Sequence, residues 1–250
     1  MKISVSGKGG VGKTTISAGL SKLFSSKGNR VYAIDCDPDV SLGLALGFDE
    51  DSLNSVHPLV ELKEEIDEKM GGGDYYPLNP KVDDVLDRYS LQKENINFLR
   101  MGSVKQGGSA CYCRENSFMN ALLNALLLDK DDIVILDMAA GIEHLTRGTA
   151  SGVDLLLIVT EPTRTSIKTS QVVKNLGKEL GIRNIKTIIN KLRTSKEREL
   201  IGKALDPKDI AGVIEYDEEI LEKTLSEAQQ EAVIVPGLEE IFENIEKEVN

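Results

Sequence analysis

The segment Gly7–Thr14 (GKGGVGKT) has the residue types and spacing of a phosphate-binding loop. It matches the pattern G-x-x-x-x-G-K-[ST] and lies between a strand-like apolar run and a helical segment, which is the context that this motif requires. Its glycines let backbone N–H groups approach phosphate oxygens, and the N-terminus of the following helix adds the positive end of its dipole. We expect Lys13 to hold the β- and γ-phosphates of a nucleotide and Thr14 to ligate Mg²⁺. The predicted cofactor-binding residues of this segment are Gly9, Gly10, Val11, Gly12, Lys13, Thr14 and Thr15.

Acidic residues follow two of the other strand-like runs. Asp35–Asp39 (DCDPD) comes after the second run, and Asp137 ends a strongly apolar one. A lone D-x-D-P sequence is typical of a solvated turn. At this distance from a phosphate-binding loop, functional use is the better prediction, because a carboxylate such as Asp37 can act as a general base and interact with Mg²⁺. We expect Asp137 to be the strand-end carboxylate of the nucleotide site.

The segment Asn190–Arg193 (NKLR) indicates which base is bound. It begins like the guanine signature N-K-x-D, but Arg193 stands where that signature has its aspartate. Guanine needs a carboxylate there to accept from its N1 and N2 hydrogens, and an arginine side chain has no acceptor. The sequence therefore favours adenine, with Asn190 and Arg193 as cofactor-binding residues.

Cys111 and Cys113 form a pair with the chemistry of metal ligands. In an extended segment, residues i and i+2 point to the same side about 6.5–7 Å apart, which is the outer limit for a disulfide. Two thiolates are half of a tetrahedral zinc or square-planar nickel site, so two chains related by a two-fold axis would supply four sulfurs. The alternative that both are small buried hydrophobic residues stays open. So does the choice among nickel, zinc and copper.

Lys8 adds a second lysine to the phosphate-binding loop and, in K-G-G-x-G-K-T-T, marks the deviant Walker A group. The chain thereby resembles the MinD, ParA and nitrogenase iron-protein branch of P-loop ATPases. This resemblance implies an ATP-dependent, face-to-face homodimer in which Lys8 reaches the nucleotide of the partner subunit. It also implies that Asp37 orients the attacking water, that Asp137–Gly141 (DMAAG) is a switch segment, and that Glu215 and Tyr216 border the adenine. The residues expected to be catalytic are Lys8, Lys13 and Asp37.

Two further segments make the resemblance more specific. Gly107–Phe118 (GGSACYCRENSF) and Gly141–Ala150 (GIEHLTRGTA) look like the carbon monoxide dehydrogenase nickel-insertion accessory proteins, the CooC family. The resemblance, which runs from residue 1 to about residue 220, implies that Cys111 and Cys113 bind nickel or zinc across the dimer. It also implies that ATP turnover accompanies nickel delivery to the Ni–Fe–S cluster of carbon monoxide dehydrogenase, the client. The expected ligands are ATP or ADP, Mg²⁺, and Ni²⁺ or Zn²⁺.

The elements that must position these residues alternate along the chain. Apolar runs of strand length alternate with helical segments, which predicts an α/β fold with a doubly wound, mostly parallel sheet flanked by helices. The predicted strands are Lys2–Ser6, Val31–Asp35, Ile96–Arg100, Ile133–Asp137, Leu155–Thr160, Ile185–Asn190 and Ala211–Glu215. The predicted helices are Thr14–Lys27, Glu61–Lys69, Arg114–Leu128, Thr165–Leu180 and Ser195–Leu205. Two irregular segments, Gly71–Pro80 and Met101–Cys113, interrupt the alternation.

Composition argues against several classes of protein. The 250 residues carry a formal net charge of −11, whereas a nucleic-acid-binding protein concentrates positive charge. Apolar runs such as Leu155–Val159 are too short to cross a bilayer. No basic-then-apolar leader precedes the first strand, and three cysteines suggest a reducing compartment. We therefore expect a cytoplasmic protein with one domain over residues 1–250 and an irregular metal-binding insertion near 101–113.

Two other functions stay open at this point. A positioning ATPase of the MinD or ParA type would need a membrane-targeting amphipathic helix or a basic DNA-binding surface. The tail Gly237–Asn250 is acidic and should be repelled by anionic lipid. An electron-transfer ATPase would instead hold an Fe–S cluster with the four thiolates of a dimer.

Overall fold

The computed structural model describes residues 1–37, 41–70, 83–102, 132–142, 150, 152–220 and 235–249. Several predictions lie outside these residues: the Cys111 and Cys113 pair, the helix over Arg114–Leu128, the irregular segment Gly71–Pro80 and most of Met101–Cys113.

The described strands form one eight-stranded sheet with the order β3-β4-β2-β5-β1-β6-β7-β8. Neighbouring strands are parallel, except that β3 pairs with β4 in the antiparallel sense. The strands are β1 (Lys2–Gly7), β2 (Val31–Asp35), β3 (Leu91–Lys93), β4 (Ile96–Arg100), β5 (Ile133–Ala140), β6 (Leu155–Thr160), β7 (Ile185–Leu192) and β8 (Ile210–Glu215). The predicted doubly wound, mostly parallel α/β fold is confirmed.

Eight α-helices lie among the described residues. They are α1 (Lys13–Ser26), α2 (Leu42–Ala45), α3 (Glu50–Ser55), α4 (Lys63–Met70), α5 (Asp83–Tyr89), α6 (Arg164–Glu179), α7 (Ser195–Ala204) and α8 (Leu238–Val249), with 3₁₀ turns at Leu59–Glu61 and Pro207–Asp209. The helix predicted over Thr14–Lys27 is confirmed within one residue at each end, and Gly28 follows it at φ 87°. The prediction of one helix over Glu61–Lys69 is corrected, since a 3₁₀ turn ends at Glu61 and α4 begins only at Lys63.

Both faces of the sheet are buried, which explains why its central strands are apolar runs. Every residue of β1 and of β6 is buried. Alternate residues of a strand point to opposite faces, and accordingly Leu157 of β6 belongs to the apolar cluster that contains Phe24 of α1. Its neighbour Ile158 belongs to the cluster that contains Val173 of α6. Among the described residues, the core therefore consists of two large apolar clusters with the sheet between them and a smaller third cluster of Ile167, Ile189 and Ile201.

The acidic C-terminal tail forms a helix that belongs to the core. In α8, the apolar side chains lie three and four residues apart and are almost completely buried: Leu238, Ile241, Phe242 and Ile245. The ring of Phe242 meets that of Phe24 edge-on at 4.6 Å between centroids. Within the described residues, no helix is long and apolar enough to cross a membrane.

The strand order creates a crevice at one edge of the sheet. β1 lies between β5 and β6, so chain connections leave the centre of the sheet in both directions. In open α/β sheets, ligands bind outside the carboxyl ends of the strands where the order reverses in this way. The loop that follows β1 and the ends of β2, β5 and β7 meet at this edge.

Candidate nucleotide site

The loop between β1 and α1 requires glycine at positions where its backbone is left-handed and closely packed. Gly7 has φ 150°, and a Cβ atom there would lie 2.2 Å from the carbonyl oxygen of Val159 in β6. Gly12 has φ 97°, and its Cβ would lie 2.5 Å from Nδ2 of Asn190. A side chain at Gly7 would push β6 away from the loop, and one at Gly12 would displace the Asn190 side chain.

The N-terminus of α1 opens into this crevice. Gly12 caps the helix without a side-chain hydrogen bond, and the first turn contains no acidic residue. The first N–H groups of a helix have no intrahelical acceptor, and together with the helix dipole they form a binding site for anions. This end of α1 therefore suits a phosphate group.

Lys13 is a buried lysine beside two carboxylates. Only 7% of the residue is exposed, and its Nζ lies 3.4 Å from the carbonyl oxygen of Lys8. Burial lowers the pKa of Lys13 from its ordinary value, and the charges of Asp137 and Asp37 oppose that shift. The ammonium group would gain a strong partner if a phosphate entered the crevice.

Asp137 connects β5 to two hydroxyl groups of α1. The Thr14 hydroxyl donates to Oδ2 of Asp137 at 2.7 Å, and the Ser17 hydroxyl donates to Oδ1 at 2.9 Å. Burial raises the pKa of Asp137 to about 6, against the lowering effect of these bonds. The hydroxyl of Ser41 lies 3.4 Å from that of Thr14. Hydroxyl and carboxylate oxygens are the donors that Mg²⁺ prefers, so this cluster fits the predicted ion.

Asp35 and Asp37 lie where β2 ends. The Asp35 carboxylate accepts hydrogen bonds from the backbone N–H groups of Asp37 at 3.1 Å and Leu42 at 3.0 Å. Burial raises the pKa of Asp35 to about 7. Asp37, the predicted water-orienting residue, lines the crevice. No role is predicted for Asp35 from the sequence, although its position at the end of a buried strand is a signal for one.

Two residues at the end of β7 contact the loop from the opposite side. Asn190 donates through Nδ2 to the carbonyl oxygen of Val11 at 2.8 Å. The Nζ of Lys191 donates to the carbonyl oxygen of Gly10 at 2.6 Å and pairs with Glu161 at 3.2 Å. The N-K sequence thus braces the predicted phosphate-binding loop. Sequence reasoning gave no role to Lys191 and Glu161, because their partners are distant along the chain.

The crevice continues into a cleft of about 750 Å³ whose outer wall carries the predicted base-binding residues. The guanidinium of Arg193 lies 3.8 Å from the centre of the Tyr216 ring, and Arg198 pairs with Glu215 at 3.4 Å. The predicted site residues that line the cleft are Gly9, Gly10, Gly12, Lys13, Thr14, Thr15, Asp37, Asn190, Arg193, Glu215 and Tyr216. Val11 is buried beneath the loop.

Among the predicted site residues that the structure describes, Lys8, Val11 and Asp137 do not line this cleft. The exposed Lys8 directs its Nζ to the Thr165 hydroxyl of α6 at 3.4 Å, and it does not line the cleft. Cys111 and Cys113 lie outside the described residues. Within the part of the chain that the structure describes, no cluster of three or more His, Cys, Asp or Glu side chains could hold a metal ion.

Comparison with known proteins gives the family. The CobQ/CobB/MinD/ParA nucleotide binding domain, CbiA, matches residues 2–229. An uncharacterised ATP-binding protein of Methanocaldococcus jannaschii is 41% identical over 229 residues, covering 88% of this chain and 87% of that protein. The carbon monoxide dehydrogenase accessory protein CooC of Rhodospirillum rubrum is 39% identical over 224 residues, covering 88% of this chain and 85% of CooC.

The solved structures agree with these relatives. The septum site-determining protein MinD of Pyrococcus horikoshii, complexed with Mg-ADP, superposes with a TM-score of 0.64 at 24% identity, covering 100% of this chain and 97% of MinD. That likeness shows a shared fold, and the relatives confirm the resemblance that the sequence indicated. The chain belongs to the CobQ/CobB/MinD/ParA family of nucleotide-binding domains and is a homologue of CooC.

Proposed function

We propose that this protein is an ATP-hydrolysing accessory protein that delivers nickel to carbon monoxide dehydrogenase. The observation that carries the ATPase part is the cluster in which Lys13, Thr14 and Asp137 meet at the N-terminus of α1. The identity to CooC supports the client. We further infer that residues 1–250 act as one domain, with the metal-binding insertion near 101–113.

The phosphates of ATP would occupy the crevice at the end of β1. The backbone N–H groups of the loop and of α1 would bind phosphate oxygens, while Lys13 would neutralise charge on the β- and γ-phosphates. Thr14 and Asp137 would hold Mg²⁺, which when bound supplies positive charge to the phosphate oxygens. The adenine would lie towards the wall formed by Arg193 and Tyr216, with Glu215 beside it.

Hydrolysis requires a water molecule directed at the γ-phosphorus. Asp37 would orient this water and accept its proton. The water oxygen forms a bond to the γ-phosphorus, and the bond from that phosphorus to the β–γ bridging oxygen breaks, which releases ADP. Lys8 of one protomer would stabilise the charge that develops on the nucleotide of its partner. The geometry supports a role for Lys8 at the partner's nucleotide, because Lys8 does not line the cleft of its own protomer.

Nickel or zinc would be the cargo of the dimer. Cys111 and Cys113 of each protomer would supply four thiolates to one ion. A nucleotide state that brings the two chains together would also bring the four sulfurs together. ATP binding would therefore raise the affinity for the metal, and metal binding would raise the affinity for ATP by the same factor. This linkage would allow ATP hydrolysis to release the metal to the client.

The buried helix α8 argues against the positioning alternative. A membrane-targeting helix must present its apolar face to lipid, whereas the apolar face of α8 is packed against α1 and β8. An Fe–S cluster would be recognised by its visible absorption in anaerobically purified protein. Absence of that absorption together with bound nickel or zinc supports the metal-delivery function.

The experiment that tests this function is activation of nickel-free carbon monoxide dehydrogenase by the nickel-loaded protein with Mg·ATP. We expect activation with ATP, little activation with GTP, and loss of both ATPase and activation in Lys13→Ala, by about 100-fold or more. Lys22→Ala on the same helix is the control and should behave as wild type. Activation that is independent of ATP, or unchanged in Lys13→Ala, would contradict the proposal.

A further inference from the structure

Asp35 is a buried carboxylate that the steps above do not use. It is the last residue of β2 and is fully buried. It lies in register with Asp137 of β5, so it is next to the strand that carries the predicted Mg²⁺ ligand. A carboxylate is unfavourable in such a place unless its oxygens accept hydrogen bonds, and the partners of those bonds therefore indicate what the residue does.

Each carboxylate oxygen of Asp35 accepts from a different backbone N–H group. Oδ1 accepts from Asp37 at 3.1 Å, and Oδ2 accepts from Leu42 at 3.0 Å. Leu42 is the first residue of α2, so the second bond satisfies a donor that a helix N-terminus leaves without an intrahelical acceptor. The two donors lie on either side of residues 38–40. A single side chain thus holds both the backbone of Asp37 and the start of α2.

The main chain around Asp35 is fixed separately from its carboxylate. The Asp35 carbonyl accepts from the N–H of Met101 at 2.8 Å, and the N–H of Cys36 donates to the carbonyl of Asp137 at 3.0 Å. These bonds attach the end of β2 to the strands on both sides. The carboxylate is therefore a rigid support, and the backbone of Asp37 depends on it.

We propose that Asp35 is a positioning residue for ATP hydrolysis, which holds Asp37 at the cleft so that Asp37 can orient the attacking water. This inference rests on the proposed ATPase function. In-line attack depends on geometry, and a displacement of about 1 Å can lower a rate by about 100-fold. We expect nucleotide binding to depend instead on Lys13 and on the backbone of the phosphate-binding loop, whereas the Asp35 carboxylate accepts from Asp37 and Leu42.

Asp35→Asn tests this role because it changes chemistry with little change in shape. The amide oxygen can accept one of the two hydrogen bonds, but the amide NH₂ then faces the other backbone donor. The matched control is Asp154→Asn. Asp154 precedes β6 at the opposite edge of the sheet, and its Oδ2 accepts from the backbone N–H of Lys2 at 2.8 Å. Both substitutions therefore disturb a carboxylate that holds a backbone N–H group.

The kinetic result should separate positioning from binding. In Asp35→Asn we expect kcat for ATP hydrolysis to fall by about 10- to 100-fold, while KM for Mg·ATP and the Kd for ADP change by less than about threefold. Asp154→Asn should retain the wild-type kcat. A residue needed only for general folding would lower nucleotide affinity along with kcat.

Amide hydrogen exchange measured by NMR gives a second readout at named atoms. In Asp35→Asn at least one of the amides of Asp37 and Leu42 should exchange about tenfold faster or more, because the single amide oxygen can accept from only one of them. The amide of Met101 bonds to the main-chain carbonyl of Asp35 and should keep its protection. If Asp35→Asn does not fold, Asp35→Ser gives the same comparison. The serine hydroxyl can accept a hydrogen bond from only one of the two backbone donors, Asp37 and Leu42.

The outcomes distinguish the inference from the function on which it rests. An unchanged kcat in a folded Asp35 variant overturns the positioning role, and so does an equal loss of kcat and ADP affinity. A wild-type protein that hydrolyses no ATP overturns the proposed function itself. Loss of kcat alone, with faster exchange confined to Asp37, Leu42 or both, supports the inference.

Discussion

At the scale of single residues, the site combines side chains that the sequence indicates with others that only the fold brings together. Lys13 and Thr14 were predicted from a local motif, and the structure places them beside Asp137. Lys191 and Glu161 brace the loop through contacts across the cleft, and no local sequence pattern predicts these contacts. A sequence motif indicates residues that contact a ligand. The residues that hold the motif in place are far from it in sequence, so only the folded structure identifies them.

Asp35 should make the stability of the protein depend on pH. Its pKa is raised from 3.8 to about 7 by burial, so the folded chain holds a proton that the unfolded chain has lost. Its contribution to the free energy of unfolding is greatest at low pH and is lost as the pH rises towards and through about 7. Between about pH 5 and pH 8, we expect the difference in this free energy between wild type and Asp35→Asn to fall by on the order of 2 kcal/mol.

Urea unfolding of both proteins without nucleotide, at a series of pH values, measures that difference. Asp137 and Asp37 are the charged groups near Asp35 that must be considered, and both are retained in the variant. Asp137 has a pKa of about 6 and interacts with Asp35, so the measured difference reports the titration of this coupled pair. A difference that is constant over this pH range would show that Asp35 titrates normally.

At the scale of elements, strands were predicted better than helices. The buried parallel strands are apolar runs, and β2, β4 and β6 have the predicted bounds. β3 is not predicted from the sequence, because it has only three residues, two of them half-buried and one exposed, and so shows no apolar run. The charge of residues 237–250 indicates an acidic tail, although the apolar residues of α8 have helical spacing. Its role depends on α1, where Gly19 leaves room for Leu238, and that complementarity is not a local signal.

Phe242→Ala should show that α8 belongs to the folded core. The ring of Phe242 is buried against Phe24, so its removal leaves a cavity and should lower the free energy of unfolding by about 3–5 kcal/mol. Urea unfolding followed by circular dichroism measures this change. Glu243→Ala, an exposed position on the same helix, is the control and should change it by less than about 0.5 kcal/mol. Equal, small effects of the two substitutions would mean that α8 is only loosely attached.

At the scale of the whole molecule, the protein needs a second copy to complete its proposed chemistry. The net charge of −11 opposes close approach of two chains at low ionic strength. Two interactions across the dimer would offset this repulsion. Lys8 of each chain would bind the nucleotide of its partner, and one metal ion would bind two thiolates from each chain. Neither the partner surface nor the client surface could be predicted from the sequence, since docking surfaces have no fixed residue pattern.

Lys8→Ala should separate nucleotide binding from dimerisation. Because Lys8 contacts α6 and does not line its own cleft, we expect the variant to bind Mg·ATP within about threefold of wild type while failing to dimerise with ATP. Light scattering with and without ATP, alongside calorimetric titration, measures both properties. Lys22→Ala again serves as the control. A Lys8→Ala protein that dimerises like wild type would refute a role for this lysine in the partner's site.

We propose that two chains share one metal ion through Cys111 and Cys113, and the metal stoichiometry of the protein is the decisive test. Equilibrium titration with nickel or zinc, with and without ATP, should give one ion per two chains. Affinity should rise when ATP is present and be nearly abolished in Cys113→Ala, which removes two of the four ligands. Binding should also weaken at low pH, because thiols must lose their protons to ligate a metal. One ion per chain, with an affinity that Cys113→Ala leaves unchanged, would contradict the account.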